Sequence, residues 1–244
     1  MDEPDGFRPK DVLVGCCGWA LRQADYVRRY PIVEIQQTFY DPPREATLVR
    51  WREAAPEGFV FTMKAWQLVT HPASSPTYRR LRRPLPGCKE AYGSLQGTPE
   101  VEDAWRETVR AARILGARLV LLQTPASFRP TQENLTRMRR FLRDAERGPF
   151  VLAWEPRGPW PEEVVRDLCR ELDLVHAVDP FVAQPVWGDL QYLRLHGVGG
   201  YGYRYTDADL NRLRGLIRPP AWVLFNNVSM AADAARFQAL LGGG

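Results

Sequence analysis

Eight short apolar segments alternate with amphipathic or loop-like connections along the chain, and that rhythm predicts an α/β fold, a TIM (β/α)8-like barrel. Two further observations point the same way. At 244 residues with 45% hydrophobic side chains, the chain has the size of one such barrel. Nearly every apolar segment also ends in a charged or amide residue, and barrels collect their chemistry at that end of the strands. A doubly wound open sheet shares the alternation and is the rival architecture. The expected organisation is one domain, residues 1–244, with a core over about residues 12–241 and a lid-like insertion over about residues 66–98.

Val12, Leu13 and Val14 run into Gly15 and Gly18, a strand closed by a glycine turn, and a helix is expected over residues 21–29. Residues 32–36 form the second strand. Pro42 and Pro43 break the chain before a helix over 44–54, in which Leu48 and Trp51 share a face. The third strand, 59–64, leads into the Pro-, Ser-, Arg- and Gly-rich insertion. A helix over 100–115 and a strand over 119–123 restore the rhythm. Thr131 starts the next helix, to residue 146, before a strand over 150–155. Pro161 opens a helix to 172, with Glu162 and Glu163 in its first turn, and 174–178 is the sixth strand. The connection 181–189 is too short and Pro-broken for a helix. Residues 191–196 form the seventh strand, Thr206 starts a helix to 217, and 222–225 is the eighth strand. Ser229 caps a last helix to 241, and the three terminal glycines read as a frayed end.

The four cysteines form no C-x-x-C pair, so a disulfide framework or a structural zinc site is not expected. The N-terminus is acidic and polar, and no run reaches the roughly 18 apolar residues of a membrane span. A cytoplasmic protein without a membrane partner is expected. Net charge is +4, and all but Lys10, Lys64 and Lys89 of the basic residues are arginine. Arg79, Arg80, Arg82 and Arg83 cluster inside the insertion. This balance permits an anionic small molecule or single-stranded nucleic acid as partner.

Glu34 sets the main problem. On a strand, Val33 and Ile35 share one face and Glu34 and Gln36 the other, so a buried second strand needs a polar cavity. Arg194 and His196 repeat the pattern on the seventh strand. Lys64, Gln123, Glu155 with Arg157, Asp179 and Asn226 with Asn227 close the remaining strands. Gly18-Trp19, Glu34 with Thr38-Phe39-Tyr40, Lys64 with Thr70-His71, Gln123 with Pro125, Glu155 with Arg157 and Trp160, residues 192–197 and Phe225-Asn226-Asn227 follow in order. In these motifs the chain resembles the domain-of-unknown-function 72 family, the YecE-like proteins, from residue 15 to about 240. The resemblance implies a TIM-barrel-like fold and no settled activity. Cys16-Cys17, Gln36 and Pro156 stand where that family commonly has Thr-Ser, Asn and Phe.

The chemistry has several readings. Glu34, Glu155, Asp179 and His196 are candidate ligands for a divalent metal. In the alternative, Glu155 or Glu34 serves as base, His196 as acid, and Lys64 steadies developing negative charge. A purely structural ion network also fits these residues. Gly197 to Gly202 match G-x-G-x-x-G but do not open a helix, which argues against nicotinamide. The amides of Gly199 and Gly200, beside Asn226 and Asn227, suit a phosphate after the seventh strand. No serine-hydrolase elbow is present, and Cys16 or Cys17 could act as nucleophile only with a neighbouring base. Trp19, Tyr40, Trp160 and Tyr203 fall in strand-end loops near the arginines, where bases or sugars could stack. The expected function is hydrolysis of a phosphate-bearing substrate, a nucleotide or nucleic acid, with Glu34, Lys64, Glu155 and His196 catalytic. Gln123, Arg157 and Arg194 would help bind it. A non-catalytic barrel binding nucleic acid or a phosphorylated metabolite is the alternative, and a sugar isomerase of the acid/base type the third reading.

Overall fold

Parallel strands buried on both faces need helical crossovers, and the chain supplies them. The computed structural model describes residues 12–242. The strands are β1 (Val12–Cys17), β2 (Ile32–Ile35), β3 (Val60–Lys64), β4 (Ala117–Thr124), β5 (Val151–Pro156), β6 (Val175–Val178), β7 (Gln191–Leu195) and β8 (Ala221–Phe225). They pair in sequence order, and β1 pairs with β8 to close the barrel. The helices are α1 (Gln23–Arg29), α2 (Gln37–Tyr40), α3 (Glu45–Glu53), α4 (Gln67–Thr70), α5 (Pro99–Leu115), α6 (Gln132–Asp144), α7 (Glu162–Glu171), α8 (Asp207–Leu216) and α9 (Met230–Gly242). The polar N-terminal stretch and the last two glycines lie outside the described residues, and Gly242 ends α9 rather than fraying.

Local chemistry sets the helix ends. The Thr98 hydroxyl accepts from the Val101 amide, Pro99 fills the first position, and Gly116 closes α5 at φ 65°. Thr131 accepts from the Asn134 amide, and Thr206 with Asp209 forms a capping box. No helix is long and apolar enough to cross a membrane.

Strand alternation divides the core in two. Ile32, Val60, Leu119, Leu121, Ala153, Ala177, Tyr192, Trp222 and Leu224 pack inside the barrel. Val33, Ile35, Phe61, Met63, Val120, Leu152, Trp154, Leu193 and Phe225 face the helices. Gly15 is required here, because a Cβ would sit 2.0 Å from the Ile32 carbonyl oxygen. The inner face therefore also receives Glu34, Thr62, Lys64, Glu155 and Arg194, all buried.

Two expectations need correction. Gln36 is not in a strand: its φ of −89° and ψ of −26° make it the N-cap of α2, since the chain must turn out of the barrel towards Pro42. The insertion is not all loop. The four residues of α4 are buried, and the Gly93 and Leu95 amides donate to the Leu68 and Val69 carbonyls. Only its middle, with Arg79, Arg80, Arg82 and Arg83, stands exposed.

Candidate functional site

The centre of the barrel mouth is a buried guanidinium. Arg194, on β7, is 1% exposed, and its Nη2 donates to Glu34 Oε1 at 2.8 Å while Nε reaches Glu34 Oε2 at 2.9 Å. Its Nη1 donates to Glu155 Oε2. One arginine thus joins carboxylates from β2 and β5 across the barrel. The Tyr192 hydroxyl donates to Glu34 Oε2 at 2.6 Å, and the Thr62 hydroxyl lies 2.8 Å from the same tyrosine oxygen. Gln36 caps the assembly by donating to Glu34 Oε1. Buried charge is costly unless paired and hydrogen-bonded, and here every carboxylate oxygen has a partner. Burial would raise the Glu34 carboxyl, but Arg194, Tyr192 and Lys64 outweigh it and hold the group below the ordinary range.

Above this floor lies an acid–imidazole pair. Glu155 Oε1 is 2.8 Å from His196 Nε2 and accepts from Arg157 Nη1 at 3.1 Å. Asn226 Nδ2 lies 3.1 Å from His196 Nδ1, so the amide donates there and the imidazole proton resides on Nε2, facing Glu155. Burial, and then the Arg194 charge, lower the histidine's pKa against the pull of Glu155, which leaves the ring neutral near pH 7. Glu155 is itself held well below the carboxylate range: Arg194, His196 and Arg157 overcome its burial.

Lys64 differs from the other cations. Both carboxylates near it are already engaged by arginines, and its ammonium rests over the Phe39 ring, 3.8 Å from the centroid. His71, its Nδ1 2.8 Å from the Thr70 hydroxyl, packs edge-on against the same ring. Burial and the neighbouring Arg194 charge lower Lys64 to about 8, against the opposing pull of Glu34 and Glu155. Burial and Lys64 lower His71 to about 3, so that imidazole stays neutral.

Glu34, Lys64, Glu155, Arg157, Arg194, His196 and Asn226 therefore converge. Gln123 pairs in register with Glu155 on the neighbouring strand, partly exposed at the same level. Other sequence candidates are placed differently. Trp19 lies among Tyr26, Trp51 and Phe61 in the layer between strands and helices, because the chain after Gly18 turns outward. Trp160 packs on Phe128 and Trp154, with its indole donating to the Phe128 carbonyl. Tyr40 carries the Arg80 guanidinium 3.5 Å from its ring centroid, and Trp66 carries Arg83, so both faces already hold a cation. The Tyr203 hydroxyl donates to Asp209, and Asn227 ties the Tyr203 carbonyl to Asp233. The Gly200 amide donates to the Gly197 carbonyl, which leaves Gly199 as the exposed amide of that pair. Asp179 spends its oxygens on the Phe181 and His196 amides.

Among the described residues no three His, Cys, Asp or Glu side chains are grouped to hold a metal ion. Of the four candidate ligands Glu155 and His196 touch, while Arg194 stands between Glu155 and Glu34, and Asp179 is engaged by backbone amides. Both thiols at the end of β1 are held protonated: burial pushes Cys16 up to about 12, and burial with Glu34 raises Cys17 well above the ordinary thiol range. Tyr192, Thr62 and His71 are site residues that the sequence reading passed over. Alternation could have found the first two, which stand two residues before Arg194 and Lys64.

The family model described as "Protein of unknown function DUF72" matches residues 13–243. No curated protein matches the chain. A DUF72 family protein from Enterococcus faecalis V583 superposes with a TM-score of 0.70 at 20% identity, covering 95% of this chain and 97% of its own. Endonuclease IV from Thermus thermophilus gives 0.53 at 15% identity, covering 96% and 99%. A D-psicose 3-epimerase gives 0.54 at 11% identity, covering 93% and 94%. At these identities the likeness is one of fold.

Proposed function

The chain belongs to the DUF72 family, and from that premise we propose that its barrel mouth is an active site that hydrolyses a phosphate-bearing substrate, a nucleotide or nucleic acid. The observation that carries the reading is the set of cationic donors at the mouth: Arg157 stands a third exposed at the rim, above the buried cluster in which Arg194 joins Glu34 and Glu155 and Lys64 lies over Phe39. Guanidinium and amide donors at the edge of a low-dielectric site favour an anion. Endonuclease IV, a barrel of the same architecture, supports the nucleic-acid form of the reading.

Lys64 fits the role of base. Lowered to about 8, it lies near the working pH, as general-base catalysis requires, whereas Glu155 is held well below it. As water attacks phosphorus, the free amine of Lys64 takes its proton, the bond from phosphorus to the leaving oxygen breaks, and that oxygen takes a proton from solvent. Arg157, a third exposed at the rim, and Asn226 face the phosphoryl oxygens. His196 holds Glu155, and Glu155 holds Arg157 and Arg194 in place.

The test is a screen of wild type, Lys64→Met and Glu155→Gln for turnover of a chromogenic phosphodiester and a single-stranded oligonucleotide. The expected result is turnover that falls by about 10²-fold or more in Lys64→Met. Binding of the oligonucleotide without turnover in wild type would favour the binding-barrel reading. Turnover of a free ketose alone would favour a sugar isomerase, the reading that the epimerase-like fold supports.

A further inference from the structure

Of the two lysines among the described residues, Lys64 and Lys89, Lys64 is the buried one, at the barrel mouth. Its surroundings are those of an amine nucleophile rather than an ion-pair partner. Among the described residues the buried Lys64 makes no ion pair, the positive charge of Arg194 acts on it, and the carboxylates that could have neutralised it are held by arginines. Desolvation and a neighbouring positive charge are the two devices that make a lysine amine available near neutral pH. His71, edge-on to the Phe39 ring, adds a neutral imidazole rather than a counter-ion.

We propose that Lys64 forms a covalent imine with a small aldehyde or ketone bound in the mouth, an activity distinct from the hydrolysis proposed above. The nitrogen lone pair of the free amine forms a bond to the carbonyl carbon as the carbonyl π pair moves onto oxygen. One amine hydrogen passes to that oxygen to give a carbinolamine. The second leaves with the hydroxyl as water, and the remaining pair closes the C=N bond. No oxidant or reductant is consumed. Capture rests on the surroundings of Lys64 and not on the hydrolytic reading, so a protein without phosphoesterase activity would still be trapped.

The sequence supplies its own control, since Lys89 is exposed and far along the insertion. Wild-type protein is incubated with glyceraldehyde or glyceraldehyde 3-phosphate and sodium cyanoborohydride at pH 7.5, and the secondary amine is located by peptide mapping. Labelling of Lys64 is expected to exceed that of Lys89 by about tenfold or more and to fall as pH drops from 8 to 6. Lys64→Arg keeps the positive charge, cannot form an imine, and should lose that label while Lys89 labelling is unchanged. Labelling of Lys64 no faster than Lys89, or label on Lys89 alone, would overturn the proposal. If phosphodiester turnover is absent while Lys64 is labelled, the hydrolytic reading fails and this one stands.

Discussion

Arg194 carries more of the site than any other side chain. Its guanidinium is fully buried and satisfies two carboxylates from strands on opposite sides of the barrel. Removing one partner of a buried ion cluster leaves uncompensated charge, so Arg194→Met should destabilise the fold by about 3–5 kcal/mol, measured by urea unfolding. Tyr192→Phe removes one charge-assisted hydrogen bond and should cost about 1.5–3 kcal/mol in the same assay. The histidines set the acid limit. His71 falls to about 3 and His176 to about 4, both mainly through burial, from an ordinary value of 6.5. Below 6.5 the unfolded chain binds protons that the native rings refuse, so stability is complete above that pH and is lost as pH falls towards 4. The slope is roughly 1.4 kcal/mol per pH unit for each ring. His71→Gln should flatten it by up to roughly 1.4 kcal/mol per pH unit, the share of one ring, in urea titrations between pH 6 and 4.5.

Elements explain what the sequence reveals and what it hides. A period of two puts Glu34, Lys64, Glu155 and Arg194 on inner faces, and that much follows from alternation and the polar strand ends alone. Loop residues obey no such period. Trp19 and Asn227 follow strand ends closely in sequence and Tyr203 lies in the loop after β7, yet their side chains turn to the helix layer or fasten neighbouring loops. Gln36 follows a strand but begins a helix, and still reaches Glu34 by its side-chain length. The insertion hides its order because α4 is only one turn long and has no readable stripe. Its return is fixed at Gly93, where φ is 79° and a Cβ would meet the His71 carbonyl oxygen at 1.8 Å. Gly93→Ala should therefore cost about 2 kcal/mol or more and speed tryptic cleavage in the exposed arginine stretch, with the barrel's circular dichroism retained below the melting point.

On the scale of the whole molecule, the closed barrel separates two kinds of interior. Apolar layers of Ile32, Leu119, Leu121 and Leu224 fill its body, and the polar cluster occupies its mouth. The apolar plug keeps water from the lower side of Arg194 and Glu34. That exclusion gives the charges their strength and gives Lys64 its lowered affinity for protons. Whether this amine takes the proton is read from the pH dependence of phosphodiester turnover in wild type and Lys64→Arg. Wild-type turnover should rise about tenfold per pH unit below an inflection near 8, with no such limb in the variant. A wild-type rate independent of pH between 6 and 9, or one that Lys64→Arg leaves unchanged, would contradict that role for Lys64.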